Sequence, residues 1–599
     1  MLILLTFICV LFLALATFVT LKGPFAPKKY RCFGPWMVIF VYVCAIIQVL
    51  MTFFAYRIYG ADLPISAFPE ETLPNQLRLP DQTQLTAESE KPDPRRNFTV
   101  TGSESANPEN FGITWEIAVG DEIVESYLRE ESICFELDRE YFALPGVATF
   151  RGNNYRNGGS YGTAVIEQET MSIAWSHPIG SLNKWGGCAW TGQPLLVQWD
   201  AETKAIMTNM YDSKKEQDGL VEVIYATLDG YIHFYDLENG SKTRDPIKMG
   251  MNFKGAGALD PRGYPLLYVG SGLNINGKNA RMFIVSLIDG QILYEYGHED
   301  SFGLRDWTAF DASPLVDAET DTLIWPGETG VLYTVKLNTQ YDKAAGTISI
   351  SPEEPVKSRY TSTYSRDEKR YLGYEASAVI VDRYLYVSEN GGLFHCIDLN
   401  TMQLLWAQDI KDVSNSTPVF EWDEEGNGYI YTAPSLHWTA ENHEGSIKIC
   451  KLNASTGEIL WEYQRECLRY DDIAGGVQCT PLLGREGTRI AGLVIYAIGR
   501  TPSAYRGVLV ALDTKTGEKI WEISSGNYAW SSPTALYTED GHAYIFLANA
   551  SGVARLIDGA TGEVLCTLDF GQTVEASPVV FDNMLVIGSR EAVYGIKVQ

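Results

Sequence analysis

The side chains best suited to chemistry are Lys184, Trp185, Asp306, Trp307, Tyr374, Glu375, Gln478, Trp530 and Glu575. They set aromatic rings beside carboxylates, an amide and an ammonium, each a short step ahead of an apolar run. Rings offer stacking faces and the polar groups offer directed hydrogen bonds, a combination that suits a sugar or a peptide. The bland alternative is that they plug and solvate a channel. Which holds depends on the elements that position them.

Those elements are repeats. "ALDTKTGEKIWE" (511–522) recurs as "LNASTGEILWEY" (452–463), "IDLNTMQLLWAQ" (397–408) and "LIDGATGEVLCTL" (556–568), with degraded copies in "FYDLENGSKTR" (234–244) and "VSLIDGQILYEY" (285–296). The anchors Asp398, Asn453, Asp513 and Asp558 follow at intervals of 55, 60 and 45 residues, the period of a four-stranded propeller blade with variable loops. Within one copy Asp513 caps a turn, Gly517 takes the positive φ of a tight hairpin, and Trp521 fills the gap to the next blade. Asn453, Gly457 and Trp461 repeat these places, and Trp406 and Trp175 stand where Trp461 stands.

A second element keeps step: "DASPLV" (311–316), "EASAVI" (375–380), "NSTPVF" (415–420), "QCTPLL" (478–483), "WSSPTAL" (530–536) and "EASPVV" (575–580). Small residues fit a crowded strand near an axis, and proline is tolerated at a strand's first residue. Counting such starts near Gly192, Gly255, Asp311, Glu375, Asn415, Gln478, Trp530 and Glu575 predicts eight blades. The last lacks an outer strand, and 172–178 ("SIAWSHP") supplies it from upstream, closing the ring and hiding both edges. The expected fold is an all-β, eight-bladed β-propeller over 149–599.

The turn motif, with Ala511, Asp513, Thr516, Gly517 and Trp521 in place, resembles the tryptophan-docking repeat of quinoprotein dehydrogenases and their non-enzymatic relatives, propellers whose repeats are named after pyrroloquinoline quinone. The resemblance covers roughly Thr149 to Gln599. "TFRGNNYRNGGSYGT" (149–163) is similar to the leading segment of uncharacterised, membrane-anchored members from Gram-positive bacteria. It implies the quinoprotein-like fold but leaves activity open, since enzymes and interaction proteins share the repeat. Alcohol dehydrogenases of this kind typically combine a quinone between a tryptophan and a vicinal disulfide, a calcium on acidic and amide side chains, and an aspartate base. This chain has no adjacent cysteines and no CxxCH, and the sugar dehydrogenases dispense with the disulfide. No cofactor is expected; the alternative is pyrroloquinoline quinone with calcium.

Other catalytic signatures are missing. The seven histidines show no ligand-like pairing, "DEEGNGY" (423–429) reads as a solvated turn, and no metal site, P-loop, Rossmann fingerprint or GxSxG is present. The ten cysteines are dispersed and read as free thiols.

The net charge of −28 argues against nucleic acid as a partner. Two apolar runs, 1–21 and 35–58, are of spanning length, and Lys22, Lys28, Lys29 and Arg31 mark the loop 22–34 between them as cytoplasmic. That topology makes a multi-pass protein of the cell membrane with an extracytoplasmic propeller. Residues 59–110 are rich in Pro, Glu, Thr and Gln and read as a disordered stalk; 111–148 reads as a small strand-rich cap, with a hairpin at Gly120-Asp121. The expected function is a tethered binding or scaffolding module for an envelope protein or polymer. The alternatives are a quinone-dependent sugar or alcohol dehydrogenase and, more weakly, a polysaccharide-binding or polysaccharide-processing ectodomain.

Overall fold

Runs of β-branched and aromatic residues too short to bury a face alone pair with the run that follows them, and so build meanders of antiparallel strands. The computed structural model describes residues 93–599 except 190, 191, 276 and 472. Both expected membrane helices, the basic loop and the stalk up to residue 92 lie outside the described residues. Among those described, no helix is long and apolar enough to cross a membrane. Eight meanders follow one another, with innermost strands beginning at Leu195, Ala258, Leu315, Val379, Val419, Leu482, Thr534 and Val579. Numbered in that order as blades 1 to 8, they form an all-β, eight-bladed propeller.

Blade 6 shows how the repeat works. Leu482–Leu483, Leu493–Gly499, Gly507–Asp513 and Lys519–Gly526 pair antiparallel in sequence order. At the last hairpin the Asp513 carboxylate accepts the backbone N–H groups of Lys515 and Thr516 at 2.9 and 2.8 Å. Gly517 turns the chain at φ 73°, and a Cβ there would stand 2.7 Å from the Trp461 ring of blade 5. Glycine is thus required twice, by the turn and by the neighbour's indole.

That indole also donates to the first carbonyl of the turn, and the bond recurs around the ring. Trp461 donates to Thr514 O (3.1 Å), Trp406 to Ala454 O (3.2 Å), Trp521 to Gly559 O (3.1 Å) and Trp175 to Leu237 O (2.8 Å). At two joints that lack the tryptophan, arginine takes its place: Arg244 of blade 1 reaches Leu287 O in blade 2 at 2.7 Å, and Arg129 reaches Leu399 O in blade 4 at 3.2 Å. A buried carbonyl without a donor is costly, so the bond persists where the motif has decayed.

Blade 8 is completed from upstream. Met171–Pro178 pairs antiparallel with Ala592–Val598, placing Trp175 opposite Gly595 and Ser176 opposite Tyr594. The seven described cysteines are all free thiols.

Two segments differ from their composition. Residues 93–110, part of the expected stalk, are ordered: Phe98 meets Trp422 edge-on at 5.1 Å, and Thr101 and Gly102 donate to Ser455 O. Phe98 and Ala106 are the reason, being apolar anchors set among polar residues. The segment 111–148 forms no separate cap. Its alternating strand Thr114–Val119 finds the open edge of blade 3 at Val356–Thr361, and Glu122–Val124 returns through a hairpin at Gly120 (φ 57°). From this added strand Trp115 donates to the carbonyl of Met402, a residue at φ 56° where other turns carry glycine.

Residues 145–164 then run along the inner edges of the blades. Gly146 and Val147 pair with blade 1, Ala148 O accepts from Leu259 of blade 2, and Asn154 O and Tyr155 O accept from Ile380 and Phe420 of blades 4 and 5. Gly159 O accepts from Val580 of blade 8, and Ala164 donates to Tyr537 O of blade 7. Arg156, fully buried, fixes the middle through Ala378 O, Phe150 O, Ser313 O and the Thr149 hydroxyl at 2.7–2.9 Å. Innermost strands, which would otherwise line an open lumen with unpaired edges, are thereby satisfied from within.

Candidate functional site

Strands one and three of each blade run in the same direction and strands two and four return. One face, the mouth, therefore collects the residues ahead of each innermost strand, the second hairpin turns and the loops between blades. The docking turns and residues 93–102 lie on the opposite face. Glu375, Gln478 and Trp530 come together at the axis with Asn415, whose amide donates to Gln478 Oε1 at 3.3 Å. Phe150 and a collar of serine and threonine side chains complete this throat, whose free volume of about 10 Å³ holds at most one water.

The remaining sequence candidates are spread around the throat. Trp307 donates to Glu328 Oε2 at 2.8 Å, and Asp306 beside it is exposed. Glu575 is bound to Arg590 at 2.6 Å. Lys184 lies over the ring of Trp185 (5.3 Å), which packs with Trp307 against the core shared by blades 1 and 2. Tyr374 turns inward: it is fully buried, with its hydroxyl 3.1 Å from His395 Nδ1. Burial drives the His395 pKa down to about 3, so the ring is neutral.

The densest charge cluster was not among the sequence candidates except for Glu375. Asp311, Glu328 and Glu375 offer carboxylate oxygens all within 4.8 Å of one another. The Lys254 ammonium bonds Asp311 Oδ2 and lies 3.9 Å from Glu375 Oε1. Arg305 donates to Leu372 O (2.7 Å) and to Glu328 O (3.3 Å). Asp311 and Glu328 are 2% and 4% exposed, and one oxygen of each, Asp311 Oδ1 and Glu328 Oε1, has no hydrogen-bond partner. Burial and the neighbouring carboxylates raise the Glu328 pKa well above the ordinary value. Burial opposes the charge of Lys254, but Asp311, Glu328 and Glu375 outweigh it and raise its pKa. A repeated signal could have found Glu328: the second hairpin turns carry an acid or amide one to three residues ahead of a glycine, at Asp229, Glu328, Glu389 and Asn549.

Glu389 shows what such a position costs. Its carboxylate accepts the Tyr360 hydroxyl and the Gly391 and Leu393 N–H groups, each at 2.7 Å, yet burial pushes its pKa up to about 7. A folded-state pKa above the unfolded value means the native form holds the proton more tightly, so stability falls as pH rises from about 4.5 to about 7. Glu389→Gln is expected to flatten that slope by about 3 kcal/mol in urea titrations taken across the window. An unchanged slope would show that Glu389 does not produce it.

Around the throat runs a rim of rings and guanidinium groups. Tyr371, 57% exposed, meets Trp438 edge-on at 5.0 Å with Arg305 over its ring. Tyr505, 59% exposed, lies 5.3 Å from Tyr470, and Arg500 spans Tyr470 and Tyr528, the latter 5.5 Å from Trp530. Arg500 is anchored by Ala504 O at 2.8 Å and Ala474 O at 3.3 Å, which fixes the rings it covers.

The quinone and calcium implied by the resemblance do not fit these residues. The throat has no slot for a planar tricyclic molecule, and the ammonium of Lys254 already bridges the carboxylates that a calcium would need.

Residues 315–528 and 505–597 match the family described as outer membrane protein assembly factor BamB. The quinoprotein ethanol dehydrogenase of Pseudomonas aeruginosa is 24% identical over 161 residues, 26% of this chain and 24% of that protein. The dehydrogenase subunit of a quinone-dependent alcohol dehydrogenase from Komagataeibacter europaeus is 25% identical over 154 residues, 25% of this chain and 20% of that protein. The chain thus spans about a quarter or less of the curated relatives it matches. Among solved structures, BamB from Moraxella catarrhalis superposes with a TM-score of 0.40 at 15% identity, covering 72% of this chain and 98% of that one. Quinohemoprotein alcohol dehydrogenase from Comamonas testosteroni gives 0.48 at 14% identity, covering 76% and 80%. The docking turns over the matched residues, just under half of the chain, are similar to the PQQ-like, BamB-type repeat, and the described residues form an eight-bladed β-propeller.

Proposed function

We propose that this protein is a membrane-tethered, extracytoplasmic binding module whose mouth rim docks an envelope protein or polymer. The observation that carries this reading is a rim of exposed tyrosines, Tyr371, Tyr470 and Tyr505, set beside the half-buried Trp438 and Arg305 around a throat too narrow for a cofactor. Such rings bury large area at small entropic cost, and with arginine they are the residues that concentrate binding energy at interfaces. The two apolar runs and basic loop of the sequence support the tether. The buried carboxylates support no catalysis by themselves, since Asp311 and Glu328 are closed to a substrate.

The test compares full-length wild type with Tyr371→Ala/Tyr505→Ala after crosslinking in native membranes. Removing two exposed anchors is expected to lower recovery of the wild-type partner at least tenfold without changing the melting temperature, since each hot-spot ring contributes roughly 2 kcal/mol or more. Equal recovery by both proteins, or no wild-type partner above background, would overturn the rim as the docking surface. A quinone-dependent dehydrogenase is the second reading, supported by the partial likeness to curated quinoprotein alcohol dehydrogenases and not by the buried carboxylates; quinone-dependent dye reduction with sugars or alcohols would establish it instead.

A further inference from the structure

Two adjacent blades bring three acids to the mouth: Asp311 ahead of the innermost strand of blade 3, Glu328 in the second turn of blade 3, and Glu375 ahead of blade 4. Lys254 arrives from the loop ahead of blade 2. Its position is set by the backbone beside it, because a Cβ at Gly255 would stand 2.0 Å from Asp311 O, and one at Gly272 would strike Asp311 Oδ1 and the Lys254 stem. Like charges crowded out of water repel strongly unless a cation sits among them.

We infer that Lys254 is the resident cation of this cluster, and that the three carboxylates become a divalent-cation site only when its ammonium is removed. The donor set is of hard oxygens, the kind that calcium and manganese take. Capacity for more ligation is present in Asp311 Oδ1 and Glu328 Oε1, both buried and without partners. What stands in the way is the ammonium, since Asp311 Oδ2 cannot hold it at hydrogen-bond distance and also approach a metal at about 2.3–2.6 Å. The inference is independent of the docking role of the rim and would survive its failure.

The test uses full-length protein in detergent, stripped with chelator and titrated with manganese by electron paramagnetic resonance and with calcium by thermal melting. Wild type is expected to show no saturable manganese binding below about 1 mM, in the range of weak calcium modules. Lys254→Gln is expected to bind one manganese per chain about a hundredfold more tightly and to melt several degrees higher in calcium. Lys254→Gln/Glu328→Gln should lose both responses. Saturable binding by wild type, or none by folded Lys254→Gln, would overturn the inference. Lys254→Ser is the second variant. If neither single variant folds without calcium but both fold with it, the inference is supported; if neither folds in either medium, it is overturned.

Discussion

Glu222→Ala is expected to cost about 3–5 kcal/mol, because it strands a buried guanidinium. Arg244 and Glu222 are fully buried and share two bonds, at 2.7 and 3.0 Å. The same carboxylate accepts the Trp199 indole N–H at 2.9 Å and the Thr243 hydroxyl. Alanine would leave the Trp199 and Thr243 donors, and the Nε and Nη2 groups of Arg244, without the carboxylate that accepts them in the wall between blades 1 and 2. Arg244 also replaces the docking tryptophan there, so the loss falls on the joint between blades. Urea midpoints at unchanged slope would measure it. Glu222→Leu/Arg244→Met removes both charges and is expected to recover at least half of the loss. A double variant as unstable as the single one would mean that the carbonyl of Leu287, rather than the stranded charge, dominates.

Replacing residues 172–178 by glycine and serine is expected to be more damaging still. It weakens the ladder against Ala592–Val598, by stripping its packed side chains and raising the entropy cost of ordering the strand, and removes the Trp175 indole, whose truncation alone carries about 3–5 kcal/mol. The exposed edge of Ala592–Val598 would then template pairing with other copies. Size-exclusion chromatography and light scattering should show aggregates at micromolar concentration. Trp461→Ala, an equivalent loss within the ring, is expected to lower the melting temperature while the protein stays monomeric. If both variants stay monomeric, closure does not protect the edge.

The blades were legible because their information is local. Asp513, Gly517 and the strands on either side of them lie within one hairpin, and the same chemistry recurs at Asn453 and Asp558, so spacing alone reveals the wheel. Partners across blades left no such trace. Lys254 and Glu375 meet through the geometry of three loops, and arginine at 244 and 129 does the work of an indole without sharing its pattern. Composition misled at 93–110 because two apolar side chains, Phe98 and Ala106, anchor a polar stretch. Of the proposed mouth, Glu375, Gln478 and Trp530 converge as their places ahead of the innermost strands suggest. Tyr374 does not, because adjacent residues on an extended chain point to opposite sides.

The segment 145–164 has a topological consequence. A wheel open at both ends can be strung on a linear molecule like a bead, and could slide along it or pass small solutes. Here Phe150 and Arg156 stop the hub from the docking-turn side, so nothing can traverse it. Any molecule that met this face would therefore have to lie across the mouth and could not be threaded through the hub.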